Sequence, residues 1–311
     1  MSALICGSFA YDNIMVFPGH FKDHILPDSI HMLNVSFMVP QMRKEFGGCA
    51  GNIAYNLKLL GGEGKPMGTV GSDFAPYADW MDSNGIARDY LQEISGQYTA
   101  QAYITTDLDD NQITAFHPGA MGESHLNAVP SDAGFKIGII SPDGKQGMQE
   151  HAEQFADAGI PFLFDPGQGL PMFNGEELNR FIELADYIVV NDYEAKMMQD
   201  KTGMSPMEMA DRAKAMIITR GAEGSIIFTP DTRRTDIPAV TPIDVIDPTG
   251  CGDAYRAGLL YALMQGMDLE TAGCVASLLG SIKISHAGTQ NHSFSQQEFS
   301  QQFERSFGRS L

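Results

Sequence analysis

The sequence predicts an α/β fold: a central, mostly parallel sheet with helices on both faces, and a small sheet standing apart from it. Three observations lead to that expectation. From residue 136 onward, short apolar runs alternate with helical stretches, the signature of a parallel sheet covered on both sides. Residues 11–46 instead alternate apolar and polar side chains and carry prolines at 18, 27 and 40, as half-covered strands do. Several apolar runs end in polar or turn residues, namely Gly7-Ser8, Asp165-Pro166, Asn191-Asp192 and Thr219-Arg220-Gly221. In such sheets ligands sit in the crevice at the carboxyl ends of the strands.

Taken in order, residues 3–8 (ALICGS) read as a buried strand closed by a turn. Gly47-Gly48 opens a helix over 49–60, whose small residues suit close packing. Residues 99–106 and 112–116 read as two strands joined by a turn at 109–111. With segment 11–40 they make the small sheet, a lid expected from about 11–40 and 95–118. Buried strands follow at 137–141, 161–165, 187–191 and 216–219, with helices over 145–158, 174–185 and 192–214 between them. Two long helices, 253–265 and 268–283, close the fold. The 311 residues suit one domain spanning 1–311, since ~100–200 residues is the usual range and a chain near 300 residues buries ~75% of its surface.

Lysine and arginine number 20 against 39 aspartates and glutamates, a formal net charge of −19. That balance opposes binding to a phosphate backbone or an anionic membrane surface. It favours solubility and leaves room for an anionic cofactor in a local dipolar pocket. The start, MSALICGSFAYDN, has no basic segment before an apolar run, so no signal peptide is expected. No stretch reaches the ~18 apolar residues of a membrane helix. Cys6, Cys49, Cys251 and Cys274 are far apart in sequence. Reduced thiols in a cytoplasmic protein are expected rather than disulfides or structural zinc.

Four stretches can carry chemistry. In Asp247-Pro-Thr-Gly-Cys-Gly-Asp253-Ala-Tyr-Arg-Ala-Gly258, two glycines bracket a small residue where a helix begins. Backbone N–H groups there suit a phosphate or a developing negative charge. Asp253 is then either an N-cap or a base beside the anion site. Phe46-Gly47-Gly48-Cys-Ala-Gly51-Asn52 lets backbone approach a ligand, and Asn52 offers donor and acceptor to hydroxyl groups; a tightly packed helix start is the plainer reading. Asn191-Asp-Tyr-Glu194 suits the water shell of Mg²⁺, or simply an acidic helix N-terminus. Thr219-Arg220-Gly221-Ala-Glu-Gly224 is a turn between strands. Gly64-Lys65 lacks the rest of a P-loop. His20 and His24 have metal-ligand spacing but no accompanying glutamate.

In this order and at these separations the four stretches resemble the ribokinase-like (PfkB) family of small-molecule kinases, over nearly the whole chain. GGCAGN is similar to its first signature, DPTGCGDAYRAG to its second, and Asn191-Asp-Tyr-Glu194 to its N-x-x-E motif. GNIAYNL and QITAFHPGAM look most like bacterial adenosine or nucleoside kinases. The resemblance implies a Rossmann-like core with a β-sheet lid, and ATP and Mg²⁺ as cofactors. It implies Asp253 as the base that takes the acceptor's proton, and the amides of Gly250, Cys251 and Gly252 as an anion hole. Asp12, Gly47, Gly48 and Asn52 would hold ribose hydroxyls, and Phe116 would line the substrate site. Asn191 and Glu194 would order Mg²⁺ through water, while Thr219, Gly221 and Gly224 would border ATP. Asp247 with loop 283–292 is where a monovalent cation such as K⁺ sits in many members, although Lys283 and His286 stand in that loop here. Cys251 replaces a common alanine.

The expected activity is phosphorylation of a nucleoside 5′-hydroxyl, adenosine foremost. A ribose or fructose kinase is the first alternative and a non-catalytic nucleotide sensor the second; an intact Asp253 speaks against the sensor. A nucleobase needs an apolar slot where a free sugar needs dense polar contacts. Met15, Phe17, Phe37, Met38 and Phe116 are available in the lid, either for that slot or for packing. The expected state is a monomer or a homodimer paired through lids.

Overall fold

The computed structural model describes residues 2–25, 35–109 and 111–311. Residues 31–34 of the alternating run, and Asp110 of the expected hairpin turn, lie outside the described residues; the rest of that run, 35–39, expected as a strand, forms none. The strands, in chain order, are β1 (Ser2–Cys6), β2 (Ala10–Val16), β3 (Gln41–Gly47), β4 (Glu63–Val70), β5 (Tyr90–Glu93), β6 (Ala100–Thr106), β7 (Gln112–His117), β8 (Ile137–Ile140), β9 (Phe162–Phe164), β10 (Tyr187–Asn191), β11 (Ala215–Thr219), β12 (Ser225–Phe228) and β13 (Thr235–Ile237). The main sheet runs β13-β12-β11-β10-β9-β8-β1-β4-β5. It is parallel except at β12 and β13. The small sheet runs β3-β2-β6-β7.

The helices are α1 (Cys49–Leu59), α2 (Ala75–Ser83), α3 (Lys145–Asp157), α4 (Gly175–Leu184), α5 (Asp192–Thr202), α6 (Pro206–Arg212), α7 (Cys251–Gln265), α8 (Leu269–Ile284) and α9 (Gln296–Phe307). Successive strand residues point to opposite faces, so β1 feeds two cores. Ala3 and Ile5 pack with α1, α2, α7, α8 and α9, whereas Leu4 and Cys6 pack with α3 to α6.

Two parts of the sequence reading need correction. The expected helix 192–214 is two helices. Gly203 ends α5 in the left-handed region at φ 73°, and Ser205 caps α6 by accepting from the Glu208 amide, with Pro206 in its first turn. These are ordinary stop and start signals that an unbroken polar–apolar rhythm concealed. Residues 63–70, considered above only as a failed P-loop, form β4, hydrogen-bonded on both sides. Proline is rare in a central strand, and Pro66 pairs with Ile5 there.

β1 sits between β8 and β4, so strand order reverses beside it. That reversal opens a crevice at the carboxyl ends. The chain leaves β1 there through Gly7, Ser8 and Phe9 and enters the small sheet at Ala10.

Candidate active site

Two helix N-termini meet at the end of β1. Gly48 caps α1 with φ 87°. A side chain there would lie 2.6 Å from the backbone of Ser8, Phe9 and Ala10, so only glycine brings α1 this close. The Cys49 amide donates to Ser8 Oγ at 3.2 Å and the Ala50 amide to the Ser8 carbonyl at 3.0 Å. Gly250 caps α7 with φ 79°. The Cys251 amide donates to the Pro248 carbonyl at 3.2 Å. The next amides of α7 lie in the first turn, where an α-helix offers no acceptor of its own.

Asp253 stands in that first turn. Its Oδ2 accepts from Asn52 Nδ2 at 2.8 Å. Asn52 is buried, and its Oδ1 accepts from Gln290 Nε2 at 2.9 Å. Gln290 Oε1 accepts from Trp80 Nε1 at 2.9 Å, and Gln290 Nε2 also donates to the Tyr77 hydroxyl at 2.6 Å. An indole N–H only donates. Trp80 therefore fixes which end of Gln290 faces Asn52, and Gln290 fixes which end of Asn52 faces Asp253. The Tyr77 hydroxyl in turn donates to the Gly47 carbonyl at 2.9 Å. None of Gln290, Trp80 and Tyr77 was singled out from sequence. They come from a loop and a helix far from the signatures, and only Trp80, the sole tryptophan, was distinctive.

Burial pushes the Asp253 carboxyl up to about 6, with the Asp165 charge adding to the rise and the Asn52 bond opposing it. Burial likewise raises Asp12 to about 6, helped by Glu45 and Asp247. Gly47 makes room for Asp12, whose Oδ2 lies 2.4 Å from where a Gly47 side chain would begin. Burial also raises the Cys49 and Cys251 thiols, Cys251 to about 11, so both stay protonated and poorly nucleophilic at neutral pH. The Asp253 charge adds to the rise of the Cys49 thiol.

One turn beyond Asp253, Arg256 is buried and grips Asp165 at the end of β9 with two bonds of 2.9 Å. It also lies 3.9 Å from Glu194 Oε2. Arg256 and Asp165 belong to stretches noted above, but neither had been given a role. Asn191 and Glu194 form a capping box on α5, with reciprocal 2.8 Å bonds, which accounts structurally for their three-residue spacing. Burial and the Asp165 charge raise the Glu194 carboxyl. Glu194 keeps one carboxylate oxygen outside the capping bond, an acceptor that suits the water shell of a hard cation.

Thr219 ends β11 and donates to the Val190 carbonyl at 3.4 Å. Gly221 is exposed with open space around it. Gly224 is different: at φ 83° its missing side chain makes way for the Ile237 carbonyl, 2.1 Å from the ideal Cβ. Between β2 and β3, Phe37 packs against Phe17 and Phe21, each at 4.9 Å. Phe116 and Met38 are exposed, Phe116 by 52%. Around Asp247, Oδ1 accepts from the Thr249 amide and Oδ2 from the Gly288 amide, each at 2.9 Å.

The pfkB family carbohydrate kinase pattern matches residues 13–296. The chain is 32% identical over 261 residues to a nucleoside kinase of Methanocaldococcus jannaschii, covering 83% of this chain and 85% of that one. It is similar to the solved structure of Burkholderia thailandensis nucleoside kinase in complex with inosine, at 55% identity and a TM-score of 0.90 over 99% of each chain. The ADP-inosine complex of that kinase gives 57% identity and 0.88, covering 99% of this chain and 97% of that one.

Proposed function

The chain belongs to the pfkB family of carbohydrate kinases, phosphotransferases that act on an alcohol group, and on that premise we propose that it transfers the γ-phosphoryl group of ATP to the 5′-hydroxyl of a nucleoside, adenosine foremost. The observation that supports this most is the placement of Asp253, in the first turn of α7 and held by Asn52.

Phosphoryl transfer needs positioning and charge neutralisation more than covalent chemistry. Asp253 Oδ takes the proton of the attacking hydroxyl. With its acidity raised to about 6, it is ionised at neutral pH and more basic than an ordinary carboxylate, as general-base catalysis favours. The first-turn amides of α7, Gly252 among them, and the positive end of the helix receive the charge on the transferred group. Glu194, held in place by Asn191, would hold Mg²⁺ through water, and such an ion would supply further charge neutralisation near the phosphates. Asp12, the Gly47–Gly48 backbone and Asn52 meet the ribose hydroxyls. Thr219 and Gly221 border ATP. Phe116 is the lid aromatic available to cover a base.

The substrate class rests on the two nucleoside kinases named above, one of them solved with inosine. The enzyme acts in the cytoplasm, as a monomer or a lid-paired homodimer. Among the described residues no helix is long and apolar enough to cross a membrane.

The test is a phosphorylation screen over nucleosides and sugars with ATP and Mg²⁺, with products identified by position. Covering an adenine of roughly 100–150 Å² at ~25 cal/mol per Å² contributes a few kcal/mol. The expected kcat/KM for adenosine is therefore at least ~10²-fold above that for ribose or fructose. Preference for either sugar over every nucleoside overturns the assignment.

A further inference from the structure

Lys283 lies in the last turn of α8 and is wholly buried. A buried ammonium is costly unless it is paired. Here Nζ donates to the Asp247 carbonyl at 2.7 Å and to the His286 carbonyl at 3.2 Å. The Asp247 and Ile246 amides donate to the Ile284 carbonyl at 3.1 and 2.9 Å. The same few residues thus join the segment leading into the α7 turn to the loop after α8. Burial opposes the charge on the ammonium and Arg43 adds to that, while Asp247 and Asp253 favour it.

Backbone carbonyls that converge on one point are how proteins replace the hydration shell of a monovalent metal ion. At this point two of them already receive N–H donors from a fixed charge. A second cation in contact with the same oxygens would meet like-charge repulsion in a poorly solvated place. The monovalent ion that the family resemblance attaches to Asp247 and loop 283–292 therefore does not fit these residues.

We propose that the ε-ammonium of Lys283 is a built-in substitute for that ion, a positioning residue that locks the α7 turn to the loop after α8 and keeps a positive charge behind it. This rests on the kinase reading for its rate measurements but not for its stability measurements. A primary ammonium and a potassium ion have the same charge and the same liking for carbonyl oxygen, so one can stand in for the other.

The experiment compares the wild-type protein, Lys283→Ala and Lys283→Met in choline chloride, KCl and NH₄Cl at one ionic strength. Two quantities are read: thermal midpoint, which needs no substrate, and kcat with whichever acceptor the screen identifies. The wild type is expected to show the same midpoint and the same kcat in all three salts. Lys283→Ala is expected to lose about 10-fold or more in kcat in choline, as when a preorganised electrostatic group is removed. In KCl or NH₄Cl it should recover both kcat and midpoint along a saturating curve. Lys283→Met fills the space and should not recover. Saturable activation or stabilisation of the wild type by K⁺ would overturn the proposal, as would a Lys283→Met protein with wild-type kcat. If Lys283→Ala fails to fold, the wild-type salt comparison and the Met variant still decide. Should the acceptor screen fail, the thermal midpoints test the lysine alone.

Discussion

Asp253 has two pulls on it. Its carboxylate serves chemistry only when ionised, yet burial favours the neutral form. The consequence for activity is a fall in kcat/KM as pH drops through about 6, where Asp253 gains a proton, steepened because Asp12 titrates in the same range. The consequence for stability has the opposite sign. A carboxyl whose folded value lies above its unfolded value binds its proton more tightly when folded. It therefore costs the folded state stability above about 6, and that cost fades as pH falls toward the ordinary carboxylate range. Asp253→Asn keeps an acceptor for Asn52 without the buried charge. We expect it to lower kcat ~10²–10⁴-fold, the usual worth of a general base, while leaving ATP affinity intact and raising the melting temperature at neutral pH. A variant with near-wild-type kcat would reduce Asp253 to a helix cap. The chain from Trp80 through Gln290 to Asn52 explains why this carboxylate is held in one orientation: every amide in it is turned by a neighbour that can bond in only one way.

At the scale of elements, the site is a junction of helix ends that glycines allow to approach. α1 comes up against the β1–β2 connection because Gly48 has no side chain. α7 is tied down by Arg256, whose ion pair with Asp165 is almost wholly buried. Asp165→Ala leaves that guanidinium without its main partner, and we expect a loss of about 3–5 kcal/mol in denaturant unfolding. Adding Arg256→Met should restore part of it, because residues in one network are not additive. Equal and additive losses would show that the pair does not hold the junction. The signatures around residues 50 and 250 were readable because glycine spacing and a following helix have a backbone meaning. Strands β8 to β11 were readable because apolar runs between helices have few other uses. β4 was hidden by Pro66, the break at Gly203 by a continuing helical rhythm, and Gln290 by an unremarkable loop. A hydrogen bond across 238 residues of sequence leaves no local trace. Phe37, offered by sequence for the base slot or for packing, is in an aromatic cluster between β2 and β3, whereas Phe116 is exposed. Burial, not residue type, separates the two.

The whole molecule carries a net charge of −19 and, on the reading above, binds an anionic nucleotide. Locally the nucleotide meets helix ends, backbone amides and one resident cation. At longer range it meets a surplus of carboxylates. Long-range repulsion acts on the encounter and is screened by salt, because the Debye length shrinks from ~30 Å at ~10 mM to ~8 Å at ~150 mM ionic strength. Short-range contacts within the site are screened far less. An uncharged nucleoside feels neither effect strongly. We therefore expect kcat/KM for ATP to rise when ionic strength is increased across that range with choline chloride at saturating Mg²⁺, while kcat/KM for the nucleoside stays level. Choline is the right salt because it is too large to sit among the carbonyls around Lys283, so any rise reports screening and not occupation of that position. A fall in kcat/KM for ATP would mean that a local positive field at the mouth of the site, and not the overall charge, governs how the nucleotide arrives.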